Sequence, residues 1–112
     1  MYTIYLLFAE TGNVTQWKIG VTTDLKRRFN EIKLANPNAV DFASTYDIID
    51  RNVAYAVEAM LKKHLKRNTI SGEWIYHEAL DKQKFQELCA SYEKNYRLHL
   101  EIEKNIKQRY DN

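Results

Sequence analysis

Residues 17–32, WKIGVTTDLKRRFNEI, contain the turn from a strand into a helix on which the N-terminal fold depends. The run up to Gly20 alternates apolar and polar side chains, which predicts a half-buried strand. Thr23 and Asp24 are both favoured at a helix N-cap, and either can begin the helix that follows. Because Gly20 has no side chain, a ligand or another part of the backbone can approach the strand closely there.

Outward from this stretch, the sequence predicts a small α/β fold. MYTIYLLFAE reads as a strand, and we expect it to pair with residues 17–22 as an antiparallel hairpin around a loop from Glu10 to Gln16. Residues 41–50 and 73–76 read as short strands, and residues 52–67 read as a helix. We therefore expect an α/β (α+β) domain, with a mainly antiparallel sheet of three to four strands flanked by helices.

A long helix is predicted at the C-terminus. No proline or glycine occurs from about Ala79 to Tyr110, and apolar residues recur there at roughly helical spacing. Basic and acidic residues nearly cancel in this segment, which argues against a DNA-binding arm. We interpret residues 1–77 as the catalytic or DNA-binding domain and residues 78–112 as a helical extension. That extension packs on the domain or forms a homodimer with a second copy.

Composition narrows the class of protein. The 112 residues suit one domain with a real core, because 45% of them are hydrophobic. A net charge of +2 is too balanced to indicate a nucleic-acid binder, so a basic footprint must come from local clustering. Cys89, the single cysteine, excludes an internal disulfide and predicts a small buried side chain. The N-terminal apolar run is too short to cross a bilayer, and we expect an intracellular setting.

Side-chain alternation divides the two N-terminal strands into two faces. Ile4 and Ile19 belong to the strongly apolar sets, which are expected to meet in the core. Tyr5 and Lys18 are left together on the more polar face. Gly20 lies on that same face and opens space beside them.

The first helix has two adjacent arginines in different surroundings. Leu25, Phe29 and Ile32 cluster on one side at 100° per residue, and Arg28 falls about 60° outside their mean direction. Arg28 therefore borders the buried seam, where its guanidinium can emerge at the sheet face. Arg27 points away, to solvent or to a phosphate backbone.

The second helix has an acid beside its apolar stripe. The stripe recurs at four-residue steps, at Val53, Val57, Leu61 and Leu65. Glu58 flanks it among basic neighbours, and a lone carboxylate in that position is a candidate metal ligand. The alternative is an ion pair with Lys62 at i,i+4. His64 points into the stripe, and we interpret it as a satisfied core histidine.

Short motifs occur in an order that resembles the GIY-YIG nuclease superfamily. They are TIY at 3–5, KIG at 18–20, TTDLKRRF at 22–29, AYAVE at 54–58 and GEWI at 72–75. The chain is similar to the phage and bacterial branch that has KIG in place of YIG and a GEWF-like ending. The resemblance covers residues 2 to about 77, and it implies the cytoplasm of a bacterial or phage-infected cell.

The resemblance implies a divalent-metal-dependent DNA endonuclease, either a nickase or a double-strand cutter. The motif positions that it assigns to the site are Tyr5, Lys18, Arg28 and Glu58. Glu58 would hold one Mg²⁺ or Mn²⁺ and Arg28 would neutralise charge in the transition state. Tyr5 would take a proton from the attacking water. Lys18, where most members have tyrosine, would favour the phenolate or act as the base.

Candidate contacts to DNA phosphates lie near these positions: Thr22, Lys26, Arg27, Lys62, Lys63 and Lys66. The plainer interpretation is that these are solvated faces, with Tyr5 a strand aromatic and Lys18 a solvated strand residue. A late asparagine found in many members has no counterpart here, which favours a non-catalytic DNA-binding module of the same fold. The four retained side chains favour the enzyme. Glu73 is a second metal ligand or, more simply, part of a turn.

Overall fold

The computed structural model describes residues 1–36, 39–65, 69–71, 74–75 and 80–111. These ranges contain five strands and three helices. In chain order they are β1 (Tyr2–Thr11), β2 (Val14–Thr22), α1 (Leu25–Ala35), β3 (Val40–Ile48), α2 (Arg51–Leu65), β4 (Thr69–Ser71), β5 (Trp74–Ile75) and α3 (Lys82–Asp111).

The predicted hairpin of β1 and β2 is confirmed, but its loop is much shorter than expected. Pairing runs from Thr3↔Thr22 to Thr11↔Val14, which leaves Gly12 and one further residue as the turn. Gly12 has φ +64°, the left-handed conformation that a two-residue type II′ turn needs at its first position. The predicted loop from Glu10 to Gln16 is wrong because these residues continue the ladder up to this glycine.

The sheet has five strands in the order β3-β1-β2-β5-β4, and each neighbouring pair is antiparallel. The predicted α+β class is thus confirmed, with one short strand more than the three to four expected. On the side away from β1, the register of β2 with β5 in the described ranges is Trp17↔Ile75. Lys18, Ile19 and Gly20 in the middle of β2 are buried.

Both faces of the sheet are buried, each under a different layer. Ile4 and Leu6 pack with α2 and α3, in a core that includes Val53, Val57, Leu61 and Leu65 as predicted. Tyr5 and Leu7 pack on the other face with α1. The expectation of a more polar face was wrong in this respect, because Tyr5 is only 2% exposed. The apolar side of α1 needs a partner, and this face of the sheet supplies it.

The first half of α3 belongs to the core, whereas the second half extends into solvent. Phe85 and Cys89 are fully buried, which confirms the interpretation of the cysteine, and burial raises the pKa of its thiol to about 12. The Tyr46 hydroxyl of β3 donates to Glu93 at 2.6 Å. From Arg97 to Tyr110 every residue is exposed. The domain boundary predicted between residues 77 and 78 lies within 76–79, outside the described residues. The predicted homodimer stays a prediction.

Within the described ranges, no helix combines the length and apolarity needed to cross a membrane.

Replacing Phe85 with alanine tests whether α3 is integral to the fold. The variant should lose about 3–5 kcal/mol of unfolding free energy, because a fully buried aromatic side chain leaves a cavity. Ile106→Ala on the protruding half is the control, and it should change stability by less than about 0.5 kcal/mol. Urea denaturation measures both. Similar losses in the two variants would contradict the division of α3 into a packed and a projecting half.

Candidate functional site

The candidate site is built around the side chain of Tyr5, which lies against Gly20 of β2. Tyr5 pairs with Gly20 in the antiparallel register, so both lie on the face of the sheet covered by α1. A Cβ added at Gly20 would overlap the hydroxyl and the ring of Tyr5. The space that the sequence predicted at Gly20 is therefore occupied by the phenol of Tyr5. Glycine at this position lets the tyrosine lie flat against the neighbouring strand.

The start of α1 directs Arg28 toward that phenol. Asp24 is the N-cap and accepts the Arg27 backbone N–H at 3.2 Å, and the Thr22 hydroxyl accepts the Asp24 N–H at 3.0 Å. Of the two N-caps that the sequence allowed, the helix uses Asp24. Arg28 then lies at the edge of the buried seam, as predicted, and its Nε–H donates to the Tyr5 hydroxyl at 3.3 Å.

Electrostatics keep Arg28 positively charged. Its pKa is raised chiefly by the hydrogen bond to Tyr5, and further by the nearby Glu31 carboxylate. Partial burial acts in the opposite direction but is outweighed. The site therefore presents a permanent cation beside a phenol oxygen.

Sequence reasoning missed Glu31, which holds both arginines of α1. Its Oε1 accepts from Arg27 Nε at 3.2 Å, and its Oε2 accepts from Arg28 Nη1 at 3.3 Å. The spacing is i,i+4 to Arg27 and i,i+3 to Arg28, which places all three side chains on neighbouring helix positions. That spacing is visible in the sequence and could have revealed the pairing.

An open pocket of about 260 Å³ adjoins these groups, and it is lined by Thr22, Thr23, Asp24, Arg27, Arg28 and Glu31. Two of the predicted DNA contacts, Thr22 and Arg27, are therefore in its wall. Arg27 is the more solvated arginine, with 78% of its side chain exposed against 42% for Arg28. Lys26 is exposed on α1 but does not line the pocket. The pocket joins hydroxyl and guanidinium donors, a combination suited to a phosphate group.

Lys18 lies on the same face but is not the solvated residue of the plainer interpretation. It is 7% exposed, and its Nζ lies 5.8 Å from the centre of the Trp74 ring. In the ladder, Lys18 pairs with Leu7 and is a diagonal neighbour of Tyr5, a relation that typically spans about 7–8 Å. The structure thus gathers Tyr5, Lys18 and Arg28 on one face.

Glu58 lies on the other side of the sheet, because α2 packs on the opposite face from α1. Its Oε1 is 3.3 Å from Lys62 Nζ, which is the ion pair that the sequence left open as an alternative. Among the described residues, no hydrogen bond or ion pair joins Glu58 to Tyr5 or Arg28. The structure therefore does not bring Glu58 into direct contact with those two.

The flank of α2 that carries Glu58 faces away from α3. His64 lies edge-to-face with Tyr92 of α3, with ring centres 6.4 Å apart. Glu58 is six positions earlier, about 120° around the helix from His64. It is thus on the other flank of the apolar stripe from His64. His64 itself is exposed, so its interpretation as a core histidine was wrong: it lies at the margin of the stripe.

The Glu58 carboxylate can supply one oxygen ligand to a magnesium ion, but not a complete set of ligands. Its side chain is 17% exposed, so it is accessible from solvent. Within the described ranges, no group of three or more histidine, cysteine or acidic side chains could hold a metal. Mg²⁺ commonly uses one or two carboxylates and takes its other ligands from water and substrate phosphates. Glu58 could serve in that way if Lys62 releases it.

The remaining candidates divide by location. Lys62 and Lys63 lie on α2, at least partly exposed to solvent. Lys66 and Glu73 lie outside the described residues.

Comparison with known proteins gives one family. The model of the T5orf172 domain matches residues 2–92, which is most of the 112-residue chain. Searches of curated proteins and of solved structures gave no match.

Gly20→Ala tests the close approach of Tyr5 to β2. The added methyl group would displace the phenol, so we expect a loss of about 1–3 kcal/mol of unfolding free energy. The Arg28 Nε–H signal in NMR spectra should also move, because its acceptor is displaced. Tyr5→Phe should move that signal too, without overpacking the strand. An unchanged Arg28 signal in Gly20→Ala would contradict this arrangement.

Proposed function

The chain belongs to the T5orf172 domain family, which is related to nuclease-like phage domains, and from that premise we propose that it is a GIY-YIG-type DNA endonuclease. The observation that carries the proposal is the hydrogen bond from Arg28 to Tyr5 beside an open pocket lined by hydroxyl and guanidinium donors. The Tyr5 phenol is buried against Gly20 and hydrogen-bonded to the Arg28 guanidinium, which packing alone would not require. A phenol beside a cation is suited to proton transfer next to a bound phosphate.

In the proposed complex, the DNA backbone runs beside the start of α1, where Arg27 and Arg28 line the pocket. Lys26 on the same helix, and Lys62 and Lys63 on α2, are further cations that phosphates of a longer strand would contact. Such contacts to phosphate supply most of the affinity in non-specific DNA binding. The affinity would come from these individual cations, since the net charge of the chain is only +2.

In the proposed reaction, a water attacks phosphorus and one P–O bond of the DNA breaks. Arg28 would neutralise the charge that grows on the phosphoryl oxygens. Tyr5, as the phenolate, would accept the proton of the attacking water. Arg28 Nε–H donates to that same phenol oxygen, and Lys18 lies on the same face of the sheet.

Glu58 would hold the divalent cation, Mg²⁺ or Mn²⁺, together with water and a substrate phosphate oxygen. A bound cation supplies charge stabilisation to the phosphoryl and leaving oxygens. Lys62 now pairs with this carboxylate, so it would have to turn toward a DNA phosphate when the cation binds.

The second candidate is a DNA-binding module of the same fold that does not cut. The Glu58–Lys62 ion pair favours it, because that pair satisfies the carboxylate without a metal. So does the missing asparagine. In that case Arg28 and the basic face of α1 would still bind phosphate, but Glu58 would have only a structural role.

A plasmid nicking assay with Mg²⁺ or Mn²⁺ separates the two candidates. The wild-type protein should cut, and Arg28→Ala or Glu58→Ala should each lower the rate by about 10²–10³-fold. Arg97→Ala is the matched control, since it removes an exposed arginine from a helical i,i+4 pair on α3, which contributes no residue to the candidate site. It should cut like wild type.

The same variants are then measured for binding to duplex DNA at two salt concentrations. Binding without cutting by the wild-type protein would establish the second candidate. Retained cutting in both Arg28→Ala and Glu58→Ala would locate the chemistry elsewhere or in a contaminant. Absence of both cutting and binding would overturn the proposed function.

A further inference from the structure

The pocket at the start of α1 already contains an anion from the protein itself. The two oxygens of Glu31 are divided between the guanidinium groups of Arg27 and Arg28, at 3.2 and 3.3 Å. These are the groups that would receive a phosphate. A carboxylate and a phosphate present the same kind of acceptor oxygen to a guanidinium. Glu31 therefore competes with the substrate phosphate for the guanidinium groups of Arg27 and Arg28.

The charged side chains that line this pocket cancel. Arg27 and Arg28 are cationic, and Asp24 and Glu31 are anionic. Asp24 is occupied as the N-cap of α1, where it accepts the Arg27 backbone N–H. Glu31 has no such backbone partner among the described contacts, and 48% of its side chain is exposed. Of the two carboxylates, Glu31 is the one that can leave without disrupting the helix.

A small anion and a nucleic-acid strand differ in how many contacts they can use to displace Glu31. A free phosphate must displace the carboxylate with contacts in this pocket alone, against a lining of zero net charge. A phosphate within DNA is held nearby by contacts to other cations, such as exposed Lys26 on the same helix. That tethering raises its effective concentration at the two arginines.

We propose that Glu31 is a specificity-determining residue that yields Arg27 and Arg28 only to a phosphate carried by a nucleic-acid strand. This inference rests on the proposed function, since it assumes that the strand binds beside α1. Glu31 does not touch the reacting atoms. It acts by positioning the two arginines and by excluding inorganic phosphate and other small anions from the pocket.

The test compares Glu31→Gln with Glu103→Gln. Both remove one negative charge, and both residues form a helical i,i+4 pair, but Glu103 pairs with His99 on the projecting half of α3. The arginine Nε–H signals of the folded proteins are followed by NMR during titration with inorganic phosphate. Binding to a 20-base-pair DNA duplex is measured in parallel over a range of salt concentrations.

We expect Glu31→Gln to bind inorganic phosphate about three- to tenfold more tightly than wild type, with the shifts at Arg27 and Arg28, because a like charge is removed a few ångströms away. Glu103→Gln should match wild type. A merely structural ion pair would alter stability without changing anion affinity. Preference for DNA over inorganic phosphate should shrink in Glu31→Gln.

The outcomes separate the inference from the proposed function. Unchanged phosphate affinity in Glu31→Gln would overturn the role of Glu31, whether or not DNA binds. An equal gain in Glu103→Gln would also overturn it, since the effect would then reflect net charge. Tighter phosphate binding with no DNA binding by any variant would support the exclusion of small anions by Glu31 while overturning the proposed function.

Discussion

The contact between the Tyr5 phenol and the backbone at Gly20 governs the geometry of the candidate site. With any side chain at position 20, the ring of Tyr5 would be displaced from β2. With the ring in place, its hydroxyl reaches the border of α1 and accepts the Arg28 Nε–H. One small residue on the second strand thus couples the first strand to the first helix. The two motifs that contain Tyr5 and Gly20 are for this reason a single structural unit.

Burial on both faces of β1 explains how the helices are placed. β1 pairs with β3 on one side and β2 on the other, and neither of its faces is left to solvent. α1 covers the Tyr5 face, while α2 and the first half of α3 cover the face of Ile4. α1, which bears Arg28, and α2, which bears Glu58, are therefore separated by the thickness of the sheet.

Charge in the site is arranged as a connected series rather than as a simple basic patch. Arg28 joins Tyr5 on one side to Glu31 on the other, and Glu31 continues to Arg27. On α2, Glu58 and Lys62 form a second neutral pair. Arg27, Arg28 and Lys62 therefore each have an acidic partner within the chain. Binding of a polyanion would be an exchange of partners, which accords with a chain that has little net charge.

The sequence by itself determined the three helices, four of the five described strands and the antiparallel β1–β2 hairpin, because alternation and helical periodicity are local properties of the chain. It also placed Arg28 at a buried border and identified Asp24 as one of two N-caps. Tertiary structure decided which helices cover each face of the sheet. The burial of Tyr5 and Lys18, the filling of the space at Gly20 and the separation of Glu58 across the sheet all depend on which layer covers each face. Periodicity assigns a residue to a face but cannot say which helix will cover that face, since this depends on contacts between residues far apart in the chain.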